Sequence, residues 1–138
     1  MQIGKILDYN NIIKKIIDRS TDVNSLVKFR LLGMLKQFEP IIDNFNQIRD
    51  EAIEKYGSPH PQGGYGIIQP NRDDFENEND YKKALEEYEK KYTQFTDEIN
   101  EVLNSESDIQ IKKFNYKDII DAGISSDYLV VLYDLIEE

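Results

Sequence analysis

Apolar residues recur along two stretches of the chain at alternating steps of four and three. Val27, Leu31, Met34, Phe38, Ile41, Phe45, Ile48 and Ala52 make the first stripe; Tyr81, Leu85, Tyr88, Tyr92, Phe95, Ile99 and Val102 make the second. A mean step of about 3.5 residues keeps each set on one side of an α-helix, the side that two helices hide from water when they lie against each other. The pattern predicts a mainly α fold: a long kinked antiparallel helical hairpin with a small β-ribbon and short terminal helices.

Capping and breaking residues set the boundaries within an expected single domain spanning 1–138. Residues 1–21 read as an N-terminal segment with a short helix, capped by Asp8 or Asn10 and buried through Ile12, Ile13, Ile16 and Ile17. Ser20, Thr21 and Asp22 supply a cap for the long helix of 22–57, with Gly57 expected to adopt the left-handed conformation after its end. Pro40 has no N–H for the Lys36 carbonyl and its ring crowds that carbonyl. The seam register is kept across it, so the expectation is a bend rather than a break.

From 58 to 79 the periodicity vanishes into a loop holding Pro59, Pro61, Pro70, Gly63, Gly64 and Gly66. A connection this long in a small domain is usually functional or disordered. Tyr65, Ile67 and Ile68 within it read as a short strand. The partner expected for it is 108–114, where Ile109 and Ile111 alternate with Gln110 and Lys112. The second seam helix is assigned to 80–104, starting after Asn79 or Asp80. Its three seam tyrosines each need a partner or water for the hydroxyl, which predicts a seam only partly dry. In 115–138, Asn115 caps a short helix over Tyr116 to Ala122, and Ser125 or Ser126 caps a terminal helix. Tyr128, Leu129, Leu132, Leu135 and Ile136, with Ile119 and Ile120, fold back as a plug on the core.

Charge and residue types then narrow the function classes. With 27 acidic and 17 basic side chains the net charge is −10, so nucleic-acid phosphates and anionic lipid meet a repulsive overall field, and neither is an expected partner. The absence of cysteine removes disulfides, thiolate nucleophiles and Cys-rich zinc sites. The early apolar run, Ile12 to Ile17, is interrupted by Lys14 and Lys15 and lacks a cleavage pattern, so neither a signal peptide nor a membrane span is expected.

No constellation for catalysis or cofactor binding is found. His60, the single histidine, has no orienting acid or nucleophile assignable to it, and Ser58 two residues away matches no trusted catalytic geometry. A calcium loop starting at Asn71 needs glycine at its sixth position and a carboxylate at its twelfth, where this chain has Glu76 and Lys82. The glycines of 63–66 lack the Lys-Ser/Thr of a phosphate loop. The reading is therefore a non-enzymatic protein without metal or cofactor. Its candidate contact residues are Tyr65, Ile67 and Ile68, apolar side chains on a Gly/Pro-rich connection. The alternative is an acidic inhibitor of a nucleic-acid-binding or defence enzyme, using Asp73, Asp74, Glu76, Glu78 and Asp80 as a phosphate mimic.

The order of parts resembles a group of small proteins found in tailed-bacteriophage genomes. The matching residues are Phe29, Leu32, Leu35, Lys36 and Glu39 as a helical core, then Phe45, Arg49 and Lys55-Tyr56-Gly57. Phe95, Glu98, Ile99, Val102 and Leu103 follow, then Ile109, Ile111 and Lys113, and finally Ile124, Ser125 and Leu129 to Ile136. The chain departs from the group after Tyr-Gly, where Ser58-Pro59-His60-Pro61-Gln62 replaces an acidic stretch. The resemblance implies a structural or accessory phage protein in the host cytoplasm or the virion. Its partners would be other particle proteins or further copies of itself, and it carries no catalytic residue to transfer.

Overall fold

The structure, a computed structural model, describes residues 1–19 and 22–137. The fold is mainly helical. In chain order the elements are α1 (Ile3–Arg19), α2 (Ser25–Tyr56), β1 (Ser58–Pro59), β2 (Tyr65–Gly66), α3 (Glu78–Asn104), β3 (Phe114–Asn115), α4 (Tyr116–Ile120), α5 (Ser126–Val131) and β4 (Ile136–Glu137). Two single-turn 3-10 helices, Arg72–Asp74 and Tyr133–Leu135, lie between them. The chain divides into two compact units, Met1–Asp43 with Asn104–Glu138, and Asn44–Leu103.

In the first unit α1 is longer than the capping residues suggested. It begins at Ile3, upstream of Asp8 and Asn10, because the start of the chain is pinned from outside: the Ile3 N–H donates to the Ser105 carbonyl (3.1 Å) and the Ser107 N–H donates to the Met1 carbonyl (2.9 Å). Ile6, Tyr9, Ile13 and Ile16 recur at helical spacing and are all buried. They meet Val27, Leu31, Met34 and Phe38 of α2 and, from the C-terminal segment, Phe114, Ile119, Ala122, Ile124, Leu132 and Leu135. Each fully buried Leu, Ile or Phe contributes roughly 1.5–3 kcal/mol relative to exposure. The start of α2 is capped by Asn24, whose side-chain oxygen accepts from the Leu26 and Val27 N–H groups. Of the cap residues expected there, Ser20 and Thr21 lie outside the described residues.

The expected plug forms. Asn115 caps α4 through the Lys117 N–H (3.0 Å), and Ile119, Leu132 and Leu135 are buried, whereas Ile120 is exposed. Parallel pairing of β3 with β4, Phe114 opposite Ile136 and Asn115 opposite Glu137, ties the last residues to the start of α4. This corrects the strand assignment: 108–113 is irregular, only Phe114 of the predicted strand is extended in a pair, and its partner is β4 rather than the loop.

In the second unit the C-terminal part of α2, the connection 57–77 and α3 form the helical hairpin. Phe45 and Ala52 are buried, Ile48 of the same stripe is 41% exposed, and no α3 residue is buried, in keeping with a partly wet seam. The first stripe is thus shared out: Val27 to Phe38 are covered by α1 and the C-terminal segment rather than by α3. α2 continues through Pro40 to Tyr56, with the bend-inducing residue inside it. α3 begins at Glu78 because Asn77 caps it: its side-chain oxygen accepts from the Asp80 N–H (2.9 Å) and its amide nitrogen donates to the Asp80 carboxylate (3.0 Å). Among the described residues no helix is long and apolar enough to cross a membrane.

Candidate functional site: the loop between the hairpin helices

The connection after α2 is an ordered β-turn structure. Gly57 does not take the left-handed conformation; its N–H closes the helix on the Ile53 carbonyl (2.7 Å). Glycine is required there for space, since a Cβ would overlap the carbonyl oxygens of Ile53 and Gly66. That close approach lets β1 pair antiparallel with β2, Ser58 opposite Gly66 and Pro59 opposite Tyr65. The turn between them is closed by His60 N–H to the Gly64 carbonyl (2.8 Å) and Gly63 N–H to the His60 carbonyl (2.9 Å), with Gly63 and Gly64 at φ +98° and +73°. The imidazole of His60 joins this turn, its Nδ1 accepting from the Gln62 N–H at 3.1 Å.

Of the three apolar candidates expected on one strand, only Tyr65 is in the ribbon; pairing ends at Gly66 opposite Ser58, and Ile67 and Ile68 follow it outside any strand. Tyr65 is 52% exposed and Ile68 43% exposed, while Ile67 is half-buried. Ile67, Ile68 and Pro70 line a shallow notch with Tyr56, Gly57 and Ser58 on one side and Ala84, Glu87, Tyr88 and Lys91 of α3 on the other. Its volume of about 190 Å³ is below the roughly 300–1,000 Å³ of a small-molecule site. Glu87 and Lys91 on its wall pair with each other at 3.4 Å, so they bring no uncompensated charge to it. The notch is therefore a shallow surface feature of mixed polar and apolar lining, not an enclosed ligand cavity.

Below the loop the hairpin is fastened by a polar clasp. The Tyr56 hydroxyl donates to Glu98 Oε1 at 2.5 Å and the Lys55 ammonium donates to the same oxygen at 3.0 Å. The Tyr56 hydrogen bond, then that of Lys55, holds the Glu98 carboxyl below its ordinary range, and Glu98 raises Lys55 in return.

The acidic candidates occupy the approach to α3. Asp73 and Asp74 lie in the 3-10 turn, which Asn71 caps through the Asp73 N–H (3.1 Å) and Arg72 closes by donating to the Phe75 carbonyl (2.8 Å). The Phe75 ring packs against that of Tyr81 at 5.8 Å. Asp80 is engaged by the Asn77 cap and Glu78 lies 3.8 Å from Lys82. Asp73, Asp74 and Glu76 are exposed and make no ion pair among the described residues. Glu78 and Asp80 also favour the positive end of the helix dipole. Among the described residues no three His, Cys, Asp or Glu side chains are gathered as metal ligands.

Residues outside both candidate sets also stand out. Leu26, Phe29 and Leu32 are 70%, 73% and 42% exposed, although Phe29 and Leu32 head the helical core in the resemblance to the phage proteins. The signal was in the sequence: these three lie off the heptad stripe, yet are apolar. No protein-family model matches the chain, and comparisons with curated proteins and with solved structures return no significant match.

Proposed function

We propose that this chain is a non-enzymatic, phage-type structural or accessory protein that acts through protein–protein contacts, in particle assembly or as a component of the particle. The observation that carries the contact site is the pairing of β1 with β2. It holds Tyr65 at the surface, with Ile68 half-exposed just beyond, next to a turn closed by the His60–Gly64 and Gly63–His60 backbone bonds. A preorganised apolar projection loses little entropy on docking, which is how rigid loops recognise partners. The notch is open and smaller than the enclosed volume that a small ligand needs, which supports a contact surface over a ligand pocket.

Replacing Tyr65, Ile67 and Ile68 together by Ser tests the reading. Binding of the partner in a pull-down from infected host lysate is expected to fall while far-UV circular dichroism stays helical. Loss of the helical signal would make these residues core and remove the contact site. A second reading draws on Asp73, Asp74 and Glu76, which stand exposed and make no ion pair among the described residues: an acidic inhibitor that mimics phosphates toward a nucleic-acid-binding or defence enzyme. Such a decoy loses its partner steeply as salt rises, and an apolar contact does not.

A further inference from the structure

Two exposed apolar patches on the first unit are flanked in sequence by charges of opposite sign, and each is left uncovered by the described residues. The first is on α2. At 3.6 residues per turn, Leu26, Phe29 and Leu32 fall on the side away from Val27, Leu31, Met34 and Phe38, which is why they are exposed while those four are buried. Between Val23 and Phe38 the sequence has Lys28, Arg30 and Lys36 and no carboxylate, in a chain whose net charge is −10. Arg30 is partly committed, donating to the Lys113 carbonyl (3.1 Å) with its guanidinium 4.1 Å from the Phe114 ring. Lys28 and Lys36 make no ion pair among the described residues.

The second surface is on α5 and the 3-10 turn after it. Leu132 and Leu135 enter the core, while Val130, Val131 and Tyr133 are 74%, 42% and 72% exposed. After Lys117 the sequence contains no Lys or Arg, whereas Asp127, Asp134 and Glu137 flank these apolar residues and Asp118 and Asp121 precede them, on and just after α4. Asp134 is held by Lys5 (3.4 Å) and by the Tyr9 hydroxyl (3.1 Å); the other four make no ion pair among the described residues.

We infer that a second copy of this chain docks its acidic α5 surface onto the cationic α2 surface of the first. An apolar centre with charge around it is the anatomy of a protein interface, and here the charges that flank the two patches in sequence are of opposite sign. Two α2 surfaces meeting each other would set cation against cation, so a two-fold symmetric contact through this face is disfavoured. The contact is head to tail, and each pair leaves one surface of each kind open for the next copy. This inference does not depend on the loop contact, whose residues it does not use.

Sedimentation velocity of the full chain over a range of concentrations tests it. The weight-average mass is expected to rise above the 16.2 kDa of one chain with concentration, and to fall back when salt is added. Phe29→Glu with Lys36→Glu closes the α2 surface, and Val130→Lys with Tyr133→Lys closes the α5 surface; each variant alone is expected to stay at the mass of one chain. Mixed together, they retain one intact surface each and are expected to give about twice the mass of one chain and nothing larger. If a charged variant loses helical signal, Ser at the same positions replaces it. One-chain mass at every wild-type concentration, association indifferent to salt, variants that still associate alone, or a mixture that does not pair would each overturn the inference.

Discussion

Phe38 and Phe29 are the same residue type on one helix, and the fold predicts opposite costs for removing them. Phe38 is 0% exposed in the core made by α1, α2 and the C-terminal segment, whereas Phe29 is 73% exposed on the opposite side of α2. Truncating a core Phe to Ala removes its transfer free energy and leaves a cavity, at a cost of about 3–5 kcal/mol. Against a typical total of about 5–15 kcal/mol, Phe38→Ala is expected to take away a large part of the stability. Phe29→Ala loses almost no burial and gains a few tenths of a kcal/mol in helix propensity, so its effect should lie within about 0.5 kcal/mol of zero. Urea unfolding followed by far-UV circular dichroism on both variants gives the difference directly. Equal losses, or a larger loss for Phe29→Ala, would show that α2 faces its neighbours the other way round and would refute the assignment of its two sides.

Other expectations follow from the polar contacts. The Tyr9 hydroxyl is pushed up to about 12 by burial and by its hydrogen bond to Asp134, and that bond, with Lys5, holds the Asp134 carboxyl below its ordinary value. The Tyr9 contribution is therefore fully present below about pH 10 and fades as pH rises toward about 12, so the advantage of wild type over Tyr9→Phe in unfolding midpoint should shrink over that window. The Asp134 contribution is present above the ordinary carboxylate value and is lost as pH falls through the lowered one. Asp134→Asn should accordingly lose its deficit relative to wild type on acidification. Asn77→Ala removes the α3 cap, with an expected loss of about 0.5–2 kcal/mol and faster hydrogen exchange at the Asp80 amide that the Asn77 side chain now holds.

The heptad stripes made the helices legible because periodicity reports which side of a helix is buried. They did not report by what. Leu31 and Phe45 belong to one stripe, yet Leu31 is in the core built with α1 and the C-terminal segment, and Phe45 is buried in the hairpin unit. α1 extends upstream of Asp8 and Asn10, which resemble caps, because its start at Ile3 depends on backbone bonds to Ser105 and Ser107 that no local pattern encodes. The one strand pair expected, Tyr65, Ile67 and Ile68 with 108–114, is replaced by two other pairs for a related reason. Each contains only two residues per strand, too few for alternation, and their pairing is set by the turn at Gly63-Gly64 and by the return of the chain end to Phe114. The loop candidates fared differently. Local chemistry placed Tyr65 on a strand and at the surface, while the burial of Ile67 against α3 residues required the fold.

The salt dependence of the captured complex bears most directly on the claim that this chain works through an apolar protein contact at the loop. Wild type and the Tyr65, Ile67, Ile68 triple-Ser variant would be used as bait in the same lysate at low and high ionic strength. The account predicts a partner that survives high salt on wild type and is missing from the variant at both. A partner that is lost from wild type as salt rises, and that the triple variant still captures at low salt, would contradict it and point to Asp73, Asp74 and Glu76 instead.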